Sequence, residues 1–218
     1  MNERHPHLQA ALLAVVAGMA DAVGYITMGG IFTANMTGNT VLAGISLADG
    51  HYELAAKRFL PLFAFFLGAM LARLLLRLLY KPAVPLLLEA ALLAIVEFLP
   101  VGPEPQVMIV ALAMGLQASA LTHFGGTAAS TVVVTSTLAR MGDAALDKLW
   151  RAEKRALPVV ATPVLLSLTW LAYLGGATAG GVLSHFITHP LLVPAALLLV
   201  VVYLMIHISR TKPSSPPP

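Results

Sequence analysis

The chain has 218 residues, of which 58% are hydrophobic and 11% are charged, and its mean hydropathy is +0.85. A soluble domain carries roughly 25% charged residues, so the composition is that of an all-α polytopic membrane protein, with no room for a separate soluble domain beside the spans. The formal net charge of +3 fits juxtamembrane lysine and arginine rather than a nucleic-acid surface, and the absence of cysteine excludes disulfides, thiolate catalysis and cysteine-ligated metals.

At roughly 20 residues per span, this length accommodates about six to eight segments. Apolar runs between breakers give eight: Leu8–Met28, Ile31–Ala48, Phe59–Tyr80, Ala83–Leu99, Gln106–Phe124, Thr127–Met141, Leu157–Ser184 and Leu191–Ile208. They form one transmembrane domain over 1–210, and the Pro/Ser-rich tail 211–218 reads as extended and disordered. Arg4, the first apolar run and the small residues Gly18 and Ala20 imitate a signal peptide. An equivalent of that run recurs in mid-chain, where a signal peptide has no place.

The second and sixth segments are short and rich in hydroxyl groups, and each follows a Gly-Gly pair, Gly29-Gly30 and Gly125-Gly126. That parallel points to an internal duplication. "DAVGYITMGG" (21–30) lies over "QASALTHFGG" (117–126), and "MTGNTVLAG" (36–44) over "VTSTLARMG" (134–142) with a small gap. "FLGAMLA" (66–72) lies over "YLGGATA" (173–179), and "KPAVPLLLEAALL" over "HPLLVPAALLL". The correspondences keep their order, so the chain reads as two structural repeats, about 8–100 and 106–208, a pattern familiar in transporters.

Charge placement tests two topologies with the N-terminus inside. If all eight segments cross, ten of the 13 lysines and arginines lie inside and Arg73, Arg77 and Lys81 lie outside. If segments two and six dip in and return, eleven lie inside and only Lys57 and Arg58 lie outside. Both obey the positive-inside rule. The second is better by one residue and makes the repeats inverted, giving six full spans plus two broken or re-entrant segments. The linker "DAALDKLWRAEKR" sets Leu146, Leu149 and Trp150 on one face among basic residues, as in an interfacial helix that anchors orientation.

Within "TANMTGNT", Thr33 and Thr37 are four apart, and so are Asn35 and Asn39. Asparagine and glycine are poor helix formers, so the first turn is irregular. Irregular backbone at membrane depth is tolerated only inside protein or beside a watery cavity. A helix beginning there aims free N–H groups at whatever fills that cavity. Thr131, Thr135 and Ser136 (with Thr137) offer the same in the second copy. The two segments together would form a solute site near the midplane; the other use of these residues is close helix packing, with Ala34 and Gly38 as a small-residue pair.

Asp21 lies deep in the first span, and an intramembrane carboxyl is a functional candidate by default: proton relay, cation ligand or partner of a buried arginine. Its match in the alignment is the neutral Gln117. Glu89 is the second coupling candidate, whereas Glu97 lies near a segment end, within reach of interfacial water. Arg73 and Arg77 share a face and snorkel to the inner surface, or Arg73 pairs with Asp21 or Glu89. His185 and His189 have a metal-ligand spacing, but Pro190 follows at once and no carboxylate is near in sequence, so no metal site is assigned. His123 precedes the second Gly-Gly pair and is a candidate pathway contact. Gly68-x-x-x-Ala72, Gly175-x-x-x-Ala179 and Gly176-x-x-x-Gly180 are packing signals within the protomer, with a homodimer seam as their alternative use. No hydrolase, zincin, P-loop or Rossmann signature appears, so neither an enzyme nor a cofactor is implied.

"GMADAVGYITMGGIFTANMTGNTVLAG" resembles the signature of the YoaK-like bacterial membrane proteins, a family of unknown function. Asp21-Ala22, Gly24-Tyr25, Gly29-Gly30 and Met36-Thr37-Gly38-Asn39 carry the likeness, which runs from Leu8 to Ile208. "GLQASALTHFGGTAASTVVVTSTL" is similar to the family's later motif, although Ser136 stands where a glycine is expected. The resemblance implies a multi-pass protein of the bacterial inner membrane and names no substrate. The residues themselves read as a small-solute transporter, secondary and with Asp21 or Glu89 coupling protons, for a polar or anionic solute. A passive channel and a non-transporting scaffold are the alternatives.

Overall fold

The computed structural model describes residues 4–121 and 163–210. His123, Thr131, Thr135, Ser136, the amphipathic stretch 143–155 and the tail 211–218 lie outside the described residues. Within them the chain is helical, with seven helices and no strand. They are α1 (Arg4–Thr27), α2 (Met36–Ala48), α3 (Tyr52–Leu79), α4 (Ala83–Val96), α5 (Pro103–Leu121), α6 (Pro163–Phe186) and α7 (Leu192–Arg210). Two stretches, Leu8–Thr27 and Tyr52–Leu79, are long and apolar enough to cross a membrane, and the apolar parts of α4 and α7 are shorter.

The core is built from α1, α4, α5 and α7, where Leu13, Val23, Leu86, Leu93, Met114 and Leu198 are essentially inaccessible. The outward faces are equally apolar. Phe59, Phe63, Phe66, Met70 and Leu74 of α3 are all exposed, the pattern of a surface solvated by lipid rather than water.

The first Gly-Gly pair breaks the chain as the sequence suggests. Gly29 and Gly30 have φ of +80° and +71°, values that favour glycine, and they reverse the chain after α1. Residues 31–35 then run back alongside α1 before α2 begins at Met36. Thr33 and Asn35 therefore precede the helix, with Asn35 as its N-cap, and the stretch before α2 is irregular as the sequence suggests. At the other end of α2 a short turn leads into α3, which begins at Tyr52, seven residues before the apolar run that starts at Phe59.

The ends can be placed against one another. Lys57 near the start of α3 bonds Glu53 at 2.7 Å and Glu104 in the first turn of α5 at 2.8 Å. Thr27 and Met28 at the end of α1 share a cavity with Glu97, Gln106 and Leu191. The end of α1, the end of α2, the start of α3 and the start of α5 thus lie at one end of the bundle. Asp21, six residues before the end of α1, is about 9 Å deeper at 1.5 Å per residue. The chain descends from that end to the level of Asp21 and α2 climbs back to it.

Close crossings hold the remaining helices. A Cβ on Gly18 of α1 would overlap the carbonyl of Tyr173 in α6, and one on Gly176 of α6 would overlap the carbonyl of Val15. Gly115 of α5 meets the Phe65 carbonyl of α3 in the same way, and Gly68 meets that of Leu112. Gly175, the packing residue matched to Gly68 in sequence, has open space instead, so the contact falls one residue later, at Gly176.

Candidate functional site

Asp21 is 2% exposed and organises the break. Its Oδ1 accepts the backbone N–H groups of Thr33 at 2.8 Å, Ala34 at 2.6 Å and Asn35 at 3.1 Å, with the Thr33 hydroxyl at 3.4 Å. Its Oδ2 accepts the hydroxyl of Tyr173 from α6. Successive N–H groups converging on one oxygen form a concave anion-binding arrangement of the backbone. Here the anion position is filled by the protein's own carboxyl. The free amides expected to face a solute before α2 are bound to Asp21, and the pairing of Arg73 with Asp21 is not made.

The flanking motif residues complete the same arrangement. The Asn39 side chain, fully buried, brackets the backbone of Phe32: its Oδ1 accepts the Phe32 N–H at 2.9 Å, and its Nδ2 donates to the Phe32 carbonyl at 2.7 Å. Asn35 caps α2 by accepting the Gly38 N–H at 3.1 Å. Gly38 leaves room for the Phe32 ring, and Gly24 leaves room for Thr33 against α1. The Phe32 ring also stacks on Tyr25 at 4.7 Å. Asp21, Gly24, Tyr25, Gly29, Gly30, Gly38 and Asn39 thus all take part in fixing this reversal. Thr37 is exposed and remains available.

Two other buried polar side chains keep unused capacity. Glu89 on α4 is inaccessible and neither carboxyl oxygen has a hydrogen-bond partner, so the proposed pairing with Arg73 is absent. An ionised group there would be uncompensated, which is costly in a low-dielectric interior. Gln117 on α5 donates its Nε2 to the Leu13 carbonyl at 3.0 Å and leaves its Oε1 without a partner. Arg58 reaches back to α2, donating to the Leu42 carbonyl at 3.0 Å and to Ser46 Oγ at 2.7 Å.

Sequence reasoning missed a cavity of about 310 Å³ at the end of the bundle where α1 terminates. Glu97 stands in its wall. The Glu97 side chain is 11% exposed, less than its position near a segment end suggests. One oxygen accepts the Leu191 N–H, capping α7, and the other lies 3.5 Å from His189 Nδ1. The His189 ring packs on Phe98 at 4.8 Å. The pairing joins residues 92 positions apart, so no local pattern in the sequence could have signalled it. Among the described residues no three His, Asp or Glu side chains gather into a metal-binding group.

Residues 9–204 match the family model described as "Protein of unknown function (DUF1275)". The chain is 30% identical over 180 residues to the UPF0700 transmembrane protein YoaK of Bacillus subtilis (strain 168), covering 77% of this chain and 79% of that protein. No solved structure matches.

Proposed function

This chain belongs to the DUF1275 family, whose function is unknown, and we propose that it is a secondary transporter for a small polar solute. The observation that carries the reading is the return of residues 31–35 to the level of Asp21. A non-helical stretch held inside a membrane bundle, followed by a half-length helix, is the device by which many transporters build a site. The location is the bacterial inner membrane, which suits an all-helical relative of a bacterial transmembrane protein.

We read the chain as two inverted repeats, with six spans and two re-entrant segments. Two reciprocal contacts support this. Gly18 stands to Gly115, and Val15 to Leu112, at a constant step of 97 residues; Tyr173 stands to Phe65, and Gly176 to Gly68, at a constant step of 108. The α1–α6 crossing is therefore repeated residue for residue in the α5–α3 crossing. This register is one residue away from the sequence alignment. It sets Asp21 against Ala118 and Tyr173 against Phe65, so the carboxyl and its hydroxyl partner are missing together from the α5–α3 crossing.

Because Asp21 already fills the amides of the first half, the proposal takes the solute as polar and drops the preference for an anion. Glu89, with no partner, is the group assigned to proton coupling, and the free Oε1 of Gln117 is assigned to the pathway. The test is uptake into proteoliposomes, using polar solutes that stabilise the purified protein against heat. A pH gradient should drive accumulation in the wild type. Glu89→Gln should abolish accumulation while leaving solute exchange and thermal stability unchanged. Unaltered accumulation in Glu89→Gln would remove its coupling role, and absence of any flux would remove transport. One observation favours a second reading, a non-transporting scaffold: the chain itself satisfies every polar group around Asp21. That reading predicts no flux for any solute.

A further inference from the structure

The cavity beside Glu97 has the character of a binding site of its own. Its volume of about 310 Å³ is at the lower end of the range for small-molecule sites. Core residues close its inner end, with Val23, Val96 and Leu191 each at most 1% exposed. Its polar groups are Glu97, His189, Gln106, Thr188 and Thr27. The Thr27 hydroxyl is directed to the Val23 carbonyl at 2.8 Å.

The described wall carries one carboxyl, Glu97, and one imidazole, His189. Among the described residues neither lysine nor arginine lines the cavity. The Glu97 oxygen that does not cap α7 faces His189 Nδ1 at 3.5 Å, and that nitrogen is buried and has no hydrogen-bond partner. A carboxyl in a low-dielectric wall with an unfilled acceptor position attracts a donor that carries positive charge. At about 310 Å³ the cavity is too large for a bare ion and has room for a carbon skeleton. We propose that this cavity binds a small organic cation, a primary ammonium or a guanidinium, with its charged group on Glu97 and the rest of the molecule in the space lined by Thr27, Gln106, Thr188 and His189. The site stands whether or not a solute crosses the membrane.

The absence of native cysteine makes the test direct. Thr188 is exposed at the rim, so Thr188→Cys places a thiol at the entrance. Its reaction rates with cationic aminoethyl and anionic sulfonatoethyl methanethiosulfonate are measured in detergent, each normalised to the same reagent's rate with N-acetylcysteine. The cationic reagent should be favoured by about tenfold, the lower end of the enrichment that a charged cleft gives. Adding Glu97→Gln, which keeps an oxygen to cap α7, should abolish that preference without changing thermal stability. Benzylamine should slow the labelling, and benzyl alcohol should not. No charge preference, a preference that survives Glu97→Gln, or equal effects of amine and alcohol would each overturn the proposal. The first two outcomes would leave Glu97 as a helix cap only.

Discussion

One oxygen of Asp21 collects three successive backbone N–H groups, and the other takes the hydroxyl of Tyr173. Each buried donor deprived of its acceptor costs about 1–3 kcal/mol. Asp21→Leu should therefore prevent stable folding, whereas Asp21→Asn, which retains one acceptor oxygen, should fold with a lowered melting temperature. Tyr173→Phe should cost about 1–2 kcal/mol. Thermal unfolding in detergent, followed through the fluorescence of Trp170 one turn away on α6, reads all three. Equal stability of wild type and Asp21→Leu would show that the carboxyl does not hold the break. The sequence marked Asp21, Asn35 and Asn39 as polar anomalies but directed them towards a solute. In the structure Asp21 bonds the reversed loop and α6, 12 to 152 residues away, Asn39 bonds Phe32 seven residues back, and Asn35 caps α2 at Gly38; the contacts of Asp21 become visible only once the chain has turned back.

Between helices, the decisive contacts are glycines facing carbonyls. Gly68→Ala and Gly176→Ala should each force a crossing apart and cost about 1–3 kcal/mol, the usual range for overpacking. Gly175→Ala should be close to neutral, since nothing lies within contact distance of its added methyl. The same unfolding assay separates them, and equal losses at Gly175 and Gly176 would contradict the packing register. The sequence identified these small-residue stripes as close crossings, and that much was legible. It could not choose between adjacent glycines, because the choice depends on which carbonyl the opposing helix presents. The break after α1 was legible from Gly29-Gly30. The extent of the non-helical stretch was not, because apolar character alone does not distinguish Ile31 and Phe32 in a loop from the same residues in a helix.

Across the whole molecule, the membrane class followed from composition, and the end-to-end arrangement follows from contacts. The ion pair of Lys57 with Glu104 sets the start of α3 beside the start of α5. The shared cavity sets the end of α1 at the same level. Charge counting separated the two topologies by only one residue, because moving segment two across the membrane exchanges Lys57 and Arg58 for Arg73, Arg77 and Lys81. The account rests on α2 returning to the end from which the chain came. Single cysteines at Asn2, His51 and Lys81, labelled with a membrane-impermeant maleimide in intact and permeabilised cells, test this most directly. The account predicts that His51→Cys reacts from the side opposite Asn2→Cys, and that Lys81→Cys reacts from the same side as Asn2→Cys. Labelling of His51→Cys from the side of Asn2→Cys would mean that α2 crosses the membrane, and would contradict it.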